Sequence, residues 1–488
     1  MPAKCAPAPD VPAVGVSAYP AAQPKQNIDI SQDSAKQGIG DRRLVFFLMA
    51  PTLLMVLTAS SFGVALPAIR THFAMGADAA AWMVTAYTLP FMMFMPLYGR
   101  LGDALGKRNL LVAGMGLFFA GTLLLFRAQR LPLFVAGRVI QGVGLAAVSP
   151  LSMAIISQRF PPHRRGQALG LWNSAGPLTG ILAPLIAGLL IDAVGWRMTF
   201  LPLLIVAPLA SAVIFWGIPS SGRTVRLSYL RRFDWPGVLL LAATLTLFVF
   251  FLSSRVITGV APLHDMRLLT ATLVAGVLLV VYEQRKADPF LNLGLFRTRS
   301  LRMASIIACM RMFAMSGINF LMPLFLADVH HLRASTIGLL VMLGATTLFI
   351  TMYWGGRGAD RGGTRRLITM GLGIQALALL SFGFLPAGAP IALIAAGLML
   401  HGFGAGFPLA PLHRAAMSQV EAAQAGAAAG IYSMIRFSGT LLGATLGGVL
   451  LEQMLSNHVP PAGAYRTVFC VIAAAAVTGA LLGRVIDN

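Results

Sequence analysis

Gly99-Arg100-Leu101-Gly102-Asp103-Ala104-Leu105-Gly106-Lys107-Arg108 lies between two apolar blocks, and Gly356-Arg357-Gly358-Ala359-Asp360-Arg361-Gly362-Gly363-Thr364-Arg365 repeats its pattern. Each has a glycine, an aspartate four residues on, a glycine three further, and a basic end. A second echo runs in register with the first. Gly137-Arg138-Val139-Ile140-Gln141-Gly142-Val143-Gly144 is answered by Gly397-Leu398-Met399-Leu400-His401-Gly402-Phe403-Gly404. The two echoes are offset by 257 and 260 residues. One short match arises by chance; two at nearly one offset point to an internal duplication.

The blocks around these loops set the medium. Hydrophobic residues make up 57% of the 488 and charged residues 11%, where a soluble domain carries about 25% charged. The apolar runs are about 20 residues long, the length that crosses a hydrocarbon core as helix; buried strands of soluble proteins run to only about 4–8. Fourteen candidate spans follow, at 44–67, 81–99, 109–127, 131–154, 167–191, 198–217, 236–254, 267–283, 303–326, 337–355, 367–385, 391–411, 427–450 and 467–484. Internal Gly and Pro do not argue against them, because neighbouring helices repair such breaks in lipid.

The formal charge of +21 would suggest nucleic acid in a soluble chain. Here the basic residues sit in short loops, so topology accounts for them and no nucleic-acid partner is expected. With both termini cytoplasmic, the inner loops hold 20 Lys and Arg and the outer loops 8, the bias of the positive-inside rule. Residues 1–43, rich in Ala, Pro and Gln, read as a disordered cytoplasmic tail rather than a signal peptide. Cys5, Cys309 and Cys470 lie too far apart in sequence to form a metal or disulfide pattern.

The expected fold is an all-α membrane protein of two six-helix halves, 44–217 and 303–488, with inserted spans 7 and 8 inside 218–302. Duplicated halves of this kind hold a substrate near the bilayer midplane and rock about it.

Several motifs in order carry a family resemblance. They are Val64-Ala65-Leu66-Pro67, Trp82 to Tyr87, the Gly99–Arg108 loop, Arg138 to Gly142, Trp196 to Phe200, Phe233-Asp234-Trp235 and Leu295-Phe296-Arg297. The chain resembles the fourteen-helix drug:proton antiporter branch (EmrB/QacA type) of the major facilitator superfamily, from about residue 44 to 484. The resemblance implies multidrug efflux from a bacterial inner membrane, driven by a proton gradient and with no bound cofactor. It leaves room for an envelope-spanning efflux partner in a double-membraned bacterium. It also implies a gating role for the loop residues Gly99, Asp103, Gly106, Lys107 and Arg108, with Asp360 as counterpart. Ala183-Pro184-Leu185-Ile186-Ala187-Gly188 is similar to the antiporter motif; Pro184 and Gly188 suit a bend and close packing whether or not they act in antiport.

One departure matters. The family places an aspartate in span 1, and the equivalent residue here is Thr58. None of the 16 acidic residues falls at a midplane, and intramembrane carboxylates are the usual proton carriers. The ionisable groups placed mid-span are Arg138, Arg311, His401 and Arg436. In the superfamily fold spans 1, 4, 9 and 12 line the cavity, which would put Thr58, Arg138, Arg311 and His401 around it. His401 has the side chain whose ordinary pKa of about 6.5 suits proton response. Structural roles remain open for each, and Arg436 suits packing between the halves. Phe91-Met92-Met93-Phe94-Met95 suits lipid contact, or a deformable ligand surface.

A small hydrophobic or amphipathic substrate is therefore expected, neutral or anionic rather than permanently cationic. A uniporter or exchanger of an anionic metabolite fits the missing aspartate as well, and a non-transporting membrane sensor is the alternative from another class. No nucleophile, acid/base pair, metal cluster or Gly-x-x-x-x-Gly-Lys-Ser/Thr loop argues for an enzyme or for ATP drive.

Overall fold

Apolar blocks in hydrocarbon must bond their backbone internally, and these do so as helices; among the described residues there is no strand. The computed structural model describes residues 30–218, 233–286, 293–360, 363–386, 388–421 and 424–486. The main helices are α1 (Ile30–His72), α2 (Ala77–Leu105), α3 (Lys107–Arg127), α4 (Leu131–Leu145), α5 (Val148–Arg159), α6 (Pro162–Asn173), α7 (Ala175–Val194) and α8 (Leu201–Gly217). They continue with α9 (Trp235–Leu252), α10 (Met266–Arg285), α11 (Arg299–Asp328), α12 (Ala334–Asp360), α13 (Thr364–Gly383), α14 (Ile391–Gly406), α15 (Leu409–Met417), α16 (Ala425–Ser456) and α17 (Pro461–Gly483). Among the described residues thirteen helical stretches are long and apolar enough to cross a membrane, and Thr179–Val194 in α7 is a shorter apolar one. The helix of the first span starts at Ile30, before its apolar run; the rest of the expected tail lies outside the described residues.

Three expected spans are split: span 5 at Ser174, between α6 and α7, and spans 4 and 12 at corresponding places. Span 4 breaks between Leu145 and Val148, span 12 between Gly406 and Leu409. A proline follows each break, Pro150 in α5 and Pro411 in α15, and Pro408 sits within the second; a proline inside a helix removes a backbone bond and clashes with the turn before it.

The duplication is legible in packing as well as sequence. Gly114 of α3 and Gly144 of α4 face each other so closely that a Cβ on Gly114 would sit 2.7 Å from Gly144 O. Their counterparts Gly371 of α13 and Gly404 of α14 do the same, at 2.8 Å from Gly404 O. Small residues let membrane helices approach backbone to backbone.

Between the N- and C-terminal parts, α2 packs along α16 and α7 along α12. Met92 is 2% exposed in the first of these seams, where Ser438 Oγ donates to its sulfur at 3.5 Å and Phe91 meets Phe437 edge to face at 5.4 Å. The methionine stretch is therefore not simply a lipid face. A surface suited to lipid is presented by α10, where Leu273, Val274, Val277 and Leu278 are all more than half exposed.

Spans 7 and 8 are tied at one end by the Phe233-Asp234-Trp235 motif. Asp234 caps α9 by accepting from Gly237 N at 3.1 Å, and takes Lys286 Nζ at 2.6 Å and Tyr282 OH at 2.9 Å. The bonds Lys286 donates to Asp234 and, at 2.8 Å, to Tyr282 OH hold its ammonium above the ordinary lysine range.

Candidate transport site

The site is built from helices whose spacing is set by glycine. In α4, Gly142 rests on the backbone of Tyr87 in α2. That approach brings Arg138, one turn earlier, into a closed pocket. Arg138 Nε donates to Met83 O at 3.0 Å and Nη1 to Gln141 Oε1 at 3.1 Å. Its guanidinium lies over the rings of Phe62, at 3.9 Å, and Tyr87, at 4.5 Å. Gln141 passes the chain on, donating from Nε2 to Thr122 Oγ1 at 2.9 Å, and Thr122 donates to Phe118 O at 2.7 Å. Neutral oxygens and ring faces thus hold this buried charge.

Thr58 is buried, and its hydroxyl donates to Leu54 O of its own helix at 2.7 Å. It does not replace the missing carboxylate as a proton carrier, because an alcohol bonded this way has no accessible charge change.

The corresponding region of the C-terminal part is held differently. Arg138 is matched by Leu398, Gln141 by His401 and Thr122 by Leu379. With leucine at 379 the ladder has no rung for residue 401. His401 is 6% exposed, and neither ring nitrogen has a hydrogen-bond partner. Gln375, on the adjacent α13, is fully buried with both amide atoms unpartnered.

Arg311 enters from α11 and donates to Ala405 O at 3.0 Å, one turn along the His401 face of α14. Glycines place Arg436 near it: Gly439 and Gly443 of α16 rest on the backbone of Cys309 and Phe313 of α11. The two guanidiniums interact repulsively. The resemblance puts Arg311 and His401 around one cavity and leaves Arg436 to packing between the halves; in the structure α16 carries Arg436 into the Arg311 region. It adds Tyr432, whose ring meets that of His413 edge to face at 4.8 Å. Both lie within electrostatic reach of Arg311 and Arg436. Nothing in the sequence periodicity marks these two, since they become neighbours only when α15 and α16 meet.

The expected gating loop is a tight connection in which Gly106 adopts φ 87°, a conformation open to glycine and strained for other residues. Gly99 lies against Pro150, 3.6 Å from a would-be Cβ. Arg108 reaches back to α8, donating to Phe215 O and Ile218 O at 3.4 Å, and Lys107 is buried. The side chains of Asp103 and Asp360 lie outside the described residues.

Pro184 and Gly188 sit in the α7–α12 seam. A Cβ on Gly188 would collide with Ala334 O, and one on Gly338 with Pro184 O. At the distal end of the bundle, where α1 finishes and α2 begins, two carboxylates close the seams in matching ways. Asp192, ending α7, accepts from Ala334 N at 3.1 Å and Ser335 N at 2.8 Å, the start of α12. Glu452, near the end of α16, accepts from Ala77 N at 2.7 Å, the start of α2. Asp192 and Glu452 are 260 residues apart, the offset of the repeat. Each anion meets the positive end of a helix dipole. Arg70 and Asp328, ending α1 and α11, pair beside them at 2.7 Å, and Tyr465 OH donates to Asp328 at 2.6 Å. None of these distal acids was assigned a role from sequence; equal spacing to the repeat is the signal that finds the first two.

Comparison with known proteins bears on this arrangement. The Major Facilitator Superfamily signature matches residues 48–444 and 304–486. The multidrug resistance protein Stp of Mycobacterium tuberculosis (strain CDC 1551 / Oshkosh) is 31% identical over 84% of this chain and 75% of its own. The drug efflux pump JefA of the same strain is 28% identical over 81% and 78%. The riboflavin transporter RibZ of Clostridioides difficile (strain 630) is 24% identical over 83% and 87%. In structure, a D-xylose-proton symporter superposes with a TM-score of 0.66 at 14% identity, covering 91% of this chain and 98% of the other.

Proposed function

Since this chain belongs to the Major Facilitator Superfamily, and is thus a multi-pass membrane transporter and not an enzyme, we propose that it exports hydrophobic or amphipathic compounds. Relatives named for multidrug resistance and drug efflux support export. The observation that carries the reading is the incompletely paired group of buried Arg311 and His401 and half-buried Arg436 between α11, α14 and α16. Groups of this kind inside a membrane are costly and are retained where they handle a substrate or ion.

The finer reading is fourteen crossings, in the manner of the EmrB/QacA branch, with α6 and α7 together supplying the crossing of span 5. Residues 44–217 and 303–488 then move against each other, and α9 and α10 ride as an inserted pair. The distal end is the outer face of a bacterial inner membrane, with both termini cytoplasmic, as the bias of 20 inner to 8 outer basic residues favours. With the distal seams closed, substrate does not leave through that end without their parting.

Proton antiport is the proposed energy source. His401 is the group we assign to proton response, because a midplane carboxylate is missing and both of its buried ring nitrogens lack a hydrogen-bond partner and can take a proton when the site opens. Exchange of an anionic metabolite is the second reading, favoured by cationic residues with no carboxylate partner in the site. The test is a deletion strain challenged with a panel of hydrophobic toxins, alongside accumulation measured in complemented cells. Export predicts greater sensitivity and higher accumulation without the gene. Equal accumulation of every compound would remove the export reading.

A further inference from the structure

The substrate class is written in what the cations of this region lack. Arg311 has five N–H donors. One finds an oxygen, Ala405 O at 3.0 Å; other contacts are to thioether sulfur, Met315 at 3.7 Å and Met312 at 3.6 Å. Sulfur is a weak acceptor, so this buried guanidinium is poorly satisfied. Arg436 lies over the Phe437 ring at 4.5 Å, and its Nε has no partner. His401 is 6% exposed and has both nitrogens unpartnered. Among the described residues no carboxylate makes an ion pair with any of the three. Two like charges on helices in backbone contact, without a carboxylate counter-ion, raise the energy of the site. An anion between them relieves repulsion and satisfies donors at once.

We infer that Arg311, His401 and Arg436 form a binding site for an amphipathic organic anion, whose carboxylate or sulfonate head bridges the two guanidiniums. Its apolar body lies against Met312, Met315 and Phe437, a surface soft enough to fit varied shapes. This rests on the export reading of the same region and narrows it to a charge class. A permanent cation would add a third positive charge to the site and is disfavoured. The Arg138 pocket does not compete for the anion, because Met83 O, Gln141 Oε1 and two rings already occupy that guanidinium.

The test uses two dyes sharing a xanthene body, fluorescein as the anion and rhodamine 6G as the permanent cation. Binding to the purified full chain in neutral detergent is read by fluorescence anisotropy, with no gradient present. Fluorescein is expected to bind ~tenfold or more tightly than rhodamine 6G, with an affinity that falls as salt rises. Arg311→Gln and Arg436→Gln are each expected to weaken fluorescein by about tenfold and to leave rhodamine 6G unchanged or tighter. Arg311→Lys should recover part of the loss, which a merely misfolded variant would not. If the glutamine variants do not purify as folded protein, the salt series on the unaltered chain still decides. Equal or tighter binding of rhodamine 6G, or glutamine variants that bind fluorescein normally, would overturn the inference. Fluorescein binding without efflux from vesicles would leave the site and sink the export reading. Toxin efflux without fluorescein binding would do the reverse.

Discussion

Arg138 and Arg311 are both buried arginines on membrane-crossing helices, and their surroundings differ in kind. Arg138 has two oxygen acceptors and two ring faces, and its neighbours Gln141 and Thr122 complete a closed ladder. Arg311 has one oxygen acceptor, two sulfurs and a repelling neighbour. The duplicated sequence shows where the two copies part. Where the N-terminal part has Arg138, Gln141 and Thr122, the C-terminal part has Leu398, His401 and Leu379. One copy of the repeat has become a satisfied structural core, and the other keeps polar groups in need of partners. Unsatisfied buried groups persist when function requires them.

The largest expected effect breaks this contrast directly. Arg311→Met should abolish saturable fluorescein binding while leaving the thermal unfolding midpoint in detergent unchanged or raised, since replacing a poorly paired buried charge by an apolar side chain is often stabilising. Arg138→Met should do the opposite. It strands Gln141 Oε1 and removes two cation–π contacts, a loss of about 2–4 kcal/mol seen as a lower midpoint. Fluorescein affinity of the molecules that fold should stay within about twofold of the parent. If both variants lowered stability alike, the two arginines would have the same role.

A smaller effect lies at the seams. Gly188→Val puts a side chain where Ala334 O already sits. It should disfavour the closed distal seam by about 1–3 kcal/mol, read as faster labelling of a cysteine placed at Ser335. The smallest effects belong to the caps. Asp192→Asn and Glu452→Gln should each weaken closure by about 0.5–1 kcal/mol. The Glu452 change should be the larger, because Arg255 also reaches that carboxylate at 3.4 Å. Equal labelling of all three variants and the parent would show that neither glycine packing nor the caps close this end.

Much of the architecture was legible because repetition and length are sequence properties. The loop echo at 257 residues and the Gly144–Gly404 echo at 260 foretold matching glycine contacts. What was hidden depended on which helix faces which. Met92 belongs to a helix apolar on most sides, so periodicity does not separate a seam from a lipid face. Arg311 and Arg436 lie 125 residues apart in sequence, and only the packing of α11 on α16 makes them neighbours. The lack of a partner for His401 follows from Leu379 on α13, a residue with no mark of its own. Thr58 shows the reverse, where the position was legible and the chemistry was not.

The most direct test of gradient-driven export is transport by the purified chain in proteoliposomes, with dye efflux followed under an imposed pH gradient and without one. The account predicts uphill dye movement that stops when the gradient is collapsed, and His401→Gln movement that no longer responds to the gradient. Dye flux at the same rate with and without the gradient, in both the parent and the variant, would contradict it.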